Sequence, residues 1–287
     1  MSEGLGNPKM KAMILGATGL LGKALMREWG GDEVVGLGSK DVDIRDASKV
    51  RAVVDRARPE CIVLAAAYTD VDGCESHSDL AFAVNRDGPV NVAEAARRTG
   101  AKLLFVSTDY VFDGKNTSPY EVGDARNPQG VYGRSKAEAE VRLLEVLPEC
   151  CIARISWLFG TGGKCFPDTI LKLAASRPVL DVVNDQRGCP TYSVDLSKAI
   201  IGLCRNQASG IVHVTNAGDC SWFEFAREIV KDAGLAAEVR PVSSQQMARP
   251  APRPAYSVLS PKSLQRYGIV MPTWQDALRR YLQERTN

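Results

Sequence analysis

Only two histidines, His77 and His213, occur in 287 residues, and none of the eight cysteines forms a C-x-x-C pair. Cys61, Cys74, Cys150, Cys151, Cys165, Cys189, Cys204 and Cys220 are scattered. Their spacing fits neither a zinc site nor a small disulfide scaffold, so reduced and mostly buried thiols are expected. Runs of Lys and Arg are missing, as are basic stretches studded with aromatics. The net charge of +2 is too small to argue for nucleic acid or a membrane surface. No apolar run reaches the roughly 18 residues that a membrane-spanning helix needs. The opening MSEGLGNPKMKAMILGATG lacks the long apolar core of a signal peptide, and the two absences together lead to a cytosolic expectation. No internal repeat is present. Beyond the first several residues no segment reads as a disordered tail.

What the chain does have is alternation. Apolar residues make up 45% of it, enough for one large α/β domain or one domain with a smaller lobe. KAMILG (11–16), EVVGLG (33–38), CIVLAAA (61–67), KLLFVST (102–108) and CIARIS (151–156) read as strands. Helical periods fill the gaps at 19–29, 48–57, 79–100 and 132–147, the third closing on Gly100. Strands and helices in this rhythm predict a Rossmann-type, doubly wound parallel sheet. Its early strands are apolar almost throughout, as strands covered on both faces should be. After residue 157 the rhythm loosens. Helices are expected at 166–175, 194–206, 221–234 and 274–284, strands at 179–184 and 211–215, and a loop over the Pro-rich tract 248–261. The expected organisation is a dinucleotide-binding domain over 1–160, to which roughly 193–220 returns, and a smaller C-terminal α/β lobe over 161–287 that takes the substrate.

The first strand runs into Gly16-Ala17-Thr18-Gly19-Leu20-Leu21-Gly22 and then a helix. Gly16 permits the sharp turn, Gly19 keeps side chains away from a pyrophosphate, and Gly22 lets the helix pack close to the strand. The helix N-terminus offers free N–H groups and partial positive charge to phosphate oxygens. Near the end of the second strand, where a ribose-binding acid is expected, the chain reads Leu37-Gly38-Ser39-Lys40, with no acid until Asp41. A hydroxyl and an ammonium suit a 2′-phosphate, which predicts NADPH with NADH possible; the same two residues also suit a solvated turn.

In GVYGRSKAE (130–138), Tyr132 lies four residues before Lys136, so both share one helix face about 5–6 Å apart. A free phenol titrates near 10, and a neighbouring ammonium favours its ionised form. Tyr132 can then protonate a carbonyl oxygen as a hydride reaches the carbon, while Lys136 holds the nicotinamide ribose. Ser107-Thr108-Asp109 falls at the carboxyl edge of the fourth strand, where such folds bind ligands. Thr108 can give the same oxygen a second hydrogen bond, or serve as a turn cap.

Taken together, GATGLLG, AAAYTDVDGCE, AFAVN, STDYVFDG, YGRSK, RISWLFG and NDQRGCPTYSVDL resemble the dTDP-4-dehydrorhamnose reductase family of extended short-chain dehydrogenases/reductases. The resemblance runs from about residue 11 to the final helix. It implies NADPH-dependent reduction of the C4 keto group of dTDP-4-dehydro-L-rhamnose to dTDP-L-rhamnose, for cell-surface polysaccharide. The implied catalytic residues are Thr108, Tyr132 and Lys136. Asp43 and Ile44 would lie near the adenine, with Ala65, Ala66, Ala67, Tyr68 and Asn85 along the cofactor groove. Beside the sugar nucleotide it implies Asp109, Tyr110, Trp157, Phe166, Asn184, Gln186, Arg187, Pro190 and Arg253. Trp157 also suits a core position, and Arg253 a solvated loop. Some relatives dimerise through magnesium held by glutamates; the matching positions in this chain are Ala24 and Val194, which cannot ligate it. No metal is therefore expected, and a monomer or weak homodimer. Two alternatives stand beside this reading: an epimerase or dehydratase of the extended family, and a non-catalytic subunit of the kind that regulates methionine adenosyltransferase.

Overall fold

The computed structural model describes residues 9–286; the polar lead-in expected to stand outside the fold falls in residues 1–8, outside the described residues. The chain opens with β1 (Lys11–Leu15), α1 (Leu20–Glu28), β2 (Glu33–Leu37), α2 (Ala47–Ala57) and β3 (Cys61–Leu64). Short helices α3 (Val71–Ser76) and α4 (Ser78–Phe82) follow, then a π-turn (Ala83–Asp87) leading into α5 (Gly88–Thr99). Next come β4 (Lys102–Thr108), a 3-10 turn (Asp109–Val111), α6 (Val131–Val146) and β5 (Cys151–Ile155). The second half holds β6 (Leu158–Phe159), α7 (Phe166–Ala174), β7 (Val179–Val183), β8 (Arg187–Gly188), β9 (Thr191–Tyr192), α8 (Ser193–Arg205) and β10 (Gly210–His213). It ends with β11 (Cys220–Ser221), α9 (Trp222–Asp232), β12 (Glu238–Val242), α10 (Lys262–Gln265) and α11 (Trp274–Thr286).

Six strands form one sheet in the order β10-β5-β4-β3-β1-β2, every neighbouring pair parallel. The order reverses between β1 and β3, which opens a crevice at their carboxyl ends. Side chains alternate across the sheet, so one face of β1 and β3 (Ala12, Ile14, Val63) packs with Leu21 and Leu25 of α1 and Leu196 and Ile200 of α8. The other face (Met13, Leu15, Ile62, Leu64) packs with Val50 and Val54 of α2, Val92 and Ala96 of α5, and Leu143 of α6. A third apolar cluster, built on Phe159, Tyr192, Phe225, Ile229 and Tyr281, belongs to the second half. There β12 adds in parallel to β7, a pairing not expected from the sequence.

Two elements differ from expectation. β3 ends at Leu64, so Ala65–Ala67 leave the sheet rather than extending it. The helix expected over 79–100 is broken into α4, a π-turn and α5. The break centres on Asn85, 1% exposed, whose amide is drawn inward: it accepts from Tyr68 N (2.8 Å) and donates to Tyr68 O (3.0 Å) and Ser135 Oγ (3.2 Å). A buried amide satisfied in this way outweighs one regular turn of backbone bonding. Gly100 closes α5 with φ +77°, a left-handed cap. All eight cysteines are free and buried. Among the described residues no helix is long and apolar enough to cross a membrane, and no cluster of His, Cys, Asp and Glu could hold a metal ion. Ala24 and Val194 are both buried.

Candidate active site

A cavity of about 860 Å³ runs along the carboxyl edge of β1, β3 and β4 and continues toward the second half of the chain. The glycine turn forms its floor. Gly16 has φ +96°, and a Cβ there would fall 2.5 Å from Ala66 N. At Gly22 a Cβ would meet Gly16 O at 2.1 Å. Both obstacles are backbone and cannot move aside. No acidic side chain stands in the first turn of α1 to repel a phosphate. A cradle that any side chain would fill, at a helix N-terminus free of negative charge, fits a dinucleotide pyrophosphate. Gly22→Ala is therefore expected to cost about 1–3 kcal/mol of stability through overpacking and to weaken dinucleotide binding. Thermal unfolding and cofactor titration of that variant check both effects; wild-type values in both would contradict the role assigned to the close approach.

Around this floor the cavity is lined by Thr18, Gly19, Leu20, Leu21, Ser39, Asp43, Ile44, Ala65, Ala66 and Ala67. Lys40 is exposed and does not line it. Asp41, the first acid after β2, is folded back, its Oδ2 accepting from Gly38 N at 2.7 Å. Arg45, not singled out in the sequence, does line the cavity. Its guanidinium grips Asp43 through three contacts of 2.6–3.0 Å. Tyr68 and Asn85 do not line the cavity; they clamp the end of β3 against α6.

Thr108, Asp109, Tyr110, Tyr132 and Lys136 converge on the same cavity wall. α6 starts after Gly130, which has extended backbone, and its i, i+4 geometry turns Tyr132 and Lys136 to one face. Tyr132 is partly buried; desolvation pushes its phenol above the ordinary value, while Thr108 works the other way. The expected acidification of this phenol by Lys136 is not met in this structure. The Lys136 ammonium instead donates to Val106 O at 2.6 Å and sits 3.9 Å from the centroid of the Phe105 ring. Burial lowers Lys136 to about 7, with the Glu140 carboxylate acting in the opposite direction. Thr108 is a turn cap as well as a cavity residue: Tyr110 N donates to its Oγ1 at 3.2 Å, and Oγ1 donates to Asp109 Oδ1 at 3.0 Å. Burial raises the Asp109 carboxyl to about 6.

Below this wall lies a buried charge cluster that no sequence motif marked. Glu140, one turn after Lys136, is 0% exposed. It accepts from Ser107 Oγ (2.6 Å), Arg154 Nε (2.9 Å), Arg154 Nη2 (2.7 Å) and Arg126 Nη1 (3.1 Å). These bonds hold its carboxyl below the usual value.

The far wall is aromatic. Trp157 adopts φ +45°, rare for a bulky residue, and its ring stacks on Trp222 at 3.5 Å and 6°. Both rings line the cavity. Gly188 makes this possible, since a Cβ there would fall 2.5 Å from the Trp157 ring. Phe166 supports Trp222 from behind at 4.5 Å without lining the cavity. The remaining expected sugar-nucleotide residues are not brought to the wall. Asn184 accepts from Ser221 Oγ at 2.6 Å, and Gln186 donates to Ser244 Oγ at 2.7 Å. Arg187 pairs with Asp219 and Glu224, and Pro190 is buried. Arg253, expected to face a diphosphate or solvent, instead forms a two-pronged pair with Asp72 at 3.1 and 2.9 Å. Asn184, Gln186, Arg187 and Arg253 each have a partner far along the chain, which sequence proximity does not reveal. Lys164 and Trp222 are further cavity residues that no local motif marked.

A parallel sheet whose switch point carries a glycine cradle, with a Tyr and a Lys one helical turn apart at its edge, defines an extended short-chain dehydrogenase/reductase. Residues 10–287 match the family described as RmlD substrate binding domain, and the chain belongs to this family of dTDP-4-dehydrorhamnose reductases. It is 41% identical over 279 residues to the spore coat polysaccharide biosynthesis protein SpsK of Bacillus subtilis, across 96% of this chain and 98% of that protein. With the dTDP-4-dehydrorhamnose reductase of Mycobacterium tuberculosis it shares 40% identity over 278 residues, across 93% and 91%. The crystal structure of dTDP-4-dehydrorhamnose reductase from Bacillus anthracis in complex with NADP is similar, with a TM-score of 0.94 and 39% identity, over 96% of this chain and 99% of that one.

Proposed function

We propose that the chain is an NADPH-dependent reductase of the C4 keto group of dTDP-4-dehydro-L-rhamnose, yielding dTDP-L-rhamnose. The observation that carries this reading is the convergence of Thr108, Tyr132 and Lys136 on one wall of the cavity that the glycine turn floors. Relatives named for this activity, and a similar structure holding NADP, support the same substrate and cofactor. When bound, NADPH supplies the hydride. Tyr132 protonates the C4 oxygen and Thr108 donates a hydrogen bond to it. Lys136 takes the ribose and the phenol as partners, which requires its ammonium to turn from Val106 O. The stacked Trp157 and Trp222 offer a flat apolar face to a deoxysugar or base. The lobe over 161–287 supplies Trp222 of that face, and the domain over 1–160 supplies Trp157 and the cofactor groove. The similarity to a spore coat polysaccharide protein supports a place in cell-surface polysaccharide synthesis, and a cytoplasmic location is part of the same reading. Without ligands for a bridging magnesium at residues 24 and 194, the reading is a monomer or weak homodimer.

Sustained, stoichiometric NADPH oxidation with the keto sugar tests the class of reaction. An epimerase or dehydratase regenerates its cofactor, so product formation without net NADPH consumption would contradict the reading. A second substrate has specific support: the chain is 38% identical to the dTDP-4-keto-6-deoxy-D-glucose reductase of Streptomyces niveus. For the cofactor, Ser39 on the cavity wall and Asp41 turned back on Gly38 N favour a 2′-phosphate. One added charge-assisted hydrogen bond predicts kcat/KM roughly tenfold or more higher with NADPH than with NADH. Equal values, or a preference for NADH, would contradict it.

A further inference from the structure

Thr108 has a single hydroxyl proton, and in this structure that proton is directed at Asp109 Oδ1, 3.0 Å away. A hydroxyl has one donor and two acceptor sites. While Thr108 donates to Asp109 it cannot donate to a substrate oxygen, the task the proposed reduction assigns to it. Its oxygen meanwhile accepts from Tyr110 N at 3.2 Å.

An ionised carboxylate only accepts, whereas a neutral carboxyl has one O–H to donate. We propose that Asp109 is a positioning residue that sets the direction of the Thr108 hydroxyl: in its neutral form it donates to Thr108 Oγ1 and frees the Thr108 proton for the substrate oxygen. With Asp109 neutral, the two acceptor sites of Thr108 are filled by Asp109 and Tyr110 N, so its own proton points away from both. With Asp109 ionised, the Thr108 proton is held back. This rests on the reductase reading above.

Burial shifts Asp109 toward the neutral form, against the hydrogen bonds of Ser257, Ser156 and Thr108, which favour the ionised one. It is 2% exposed. From its own turn it faces Thr108 and Tyr110, and from α6 it faces Tyr132. After β5, Ser156 Oγ donates to its Oδ2 at 2.9 Å, and Ser257 approaches from the C-terminal strap. Cys189 faces it from the segment between β8 and β9. None of these groups is a cation. Lys136, the nearest lysine on α6, donates to Val106 O instead. Burial without a compensating positive charge disfavours the carboxylate, consistent with a value raised to about 6.

The test is Asp109→Asn. The amide oxygen still accepts from Ser156, and its N–H donates to Thr108 at every pH. In the wild type, kcat at saturating substrate is expected to fall about tenfold per pH unit above the Asp109 ionisation. In D109N that limb disappears, so the D109N to wild-type ratio of kcat rises about tenfold per unit across it. D109A, which offers neither group, lowers kcat across the whole range. Retention of the wild-type limb in D109N, or a D109N profile that matches D109A, overturns the proposal. A second measurement needs no turnover: infrared difference spectra of the unliganded wild type, with pH, follow the carbonyl stretch of the protonated carboxyl. A band that titrates near pH 6 and moves in Thr108→Val supports the coupling; a carboxyl ionised throughout overturns it. If no keto sugar is reduced, the reductase reading fails on its own while the spectra still decide the state of Asp109.

Discussion

Tyr132→Phe is expected to lower kcat at least about 100-fold while leaving NADPH affinity largely intact. The phenol is the one proton donor that the proposed reaction places at the C4 oxygen, and phenylalanine removes only that hydroxyl. Tyr132 is partly buried, with the Tyr110 ring edge-on at 5.8 Å, so the isosteric ring keeps its packing. In this structure burial holds the proton on the phenol rather than releasing it. That suits an acid which must arrive protonated at a ketone. Stopped-flow hydride transfer together with cofactor titration separates the two effects; a near-normal rate for the variant removes Tyr132 from the role.

Glu140→Ala is expected to be the most damaging change outside the cavity, costing about 3–5 kcal/mol of folding stability at neutral pH. It leaves Arg154, 1% exposed, without the carboxylate that takes two of its nitrogens, and strips Arg126 and Ser107 of their acceptor. The sign with pH follows from the lowered carboxyl. A group held below its unfolded value of 4.5 stabilises the fold above that pH and loses the contribution as pH falls through the folded value. The gap between wild type and Glu140→Ala should therefore be constant at neutral pH and shrink in acid. Replacing the pair together, as Glu140→Leu with Arg154→Met, should recover much of the loss, because no buried charge is left alone. Denaturant unfolding reads both results. A Glu140→Ala variant within about 1 kcal/mol of wild type, the range of an exposed ion pair, would show that the cluster does not brace the wall beneath Lys136.

The parts of this molecule that were legible in the sequence are those whose cause is local. Gly16, Gly19 and Gly22 act within one turn, and Tyr132 and Lys136 share a face through helix geometry alone. The sheet strands were legible because strands covered on both faces are apolar throughout, as in Cys61–Leu64. The residues that escaped act across long sequence separations. Arg253 meets Asp72 at a separation of 181 residues, and Glu140 meets Ser107 at 33, so neither pairing has a local signature. Trp222 reaches the cavity only because Gly188, far upstream, leaves room for the Trp157 ring beneath it. The break at Asn85 was hidden for a related reason: α4 and α5 together keep an unbroken helical period, while the amide that interrupts it answers to Tyr68 and Ser135.

The most direct test of the reductase assignment is NADPH oxidation by the purified chain with dTDP-4-dehydro-L-rhamnose generated in situ, run beside dTDP-4-keto-6-deoxy-D-glucose and other 4-keto nucleotide sugars. The expected result is one NADPH consumed per dTDP-L-rhamnose formed, with the highest kcat/KM for the rhamnose precursor and the turnover abolished in Tyr132→Phe. No NADPH oxidation with any of these sugars, or oxidation that persists in Tyr132→Phe, would contradict it.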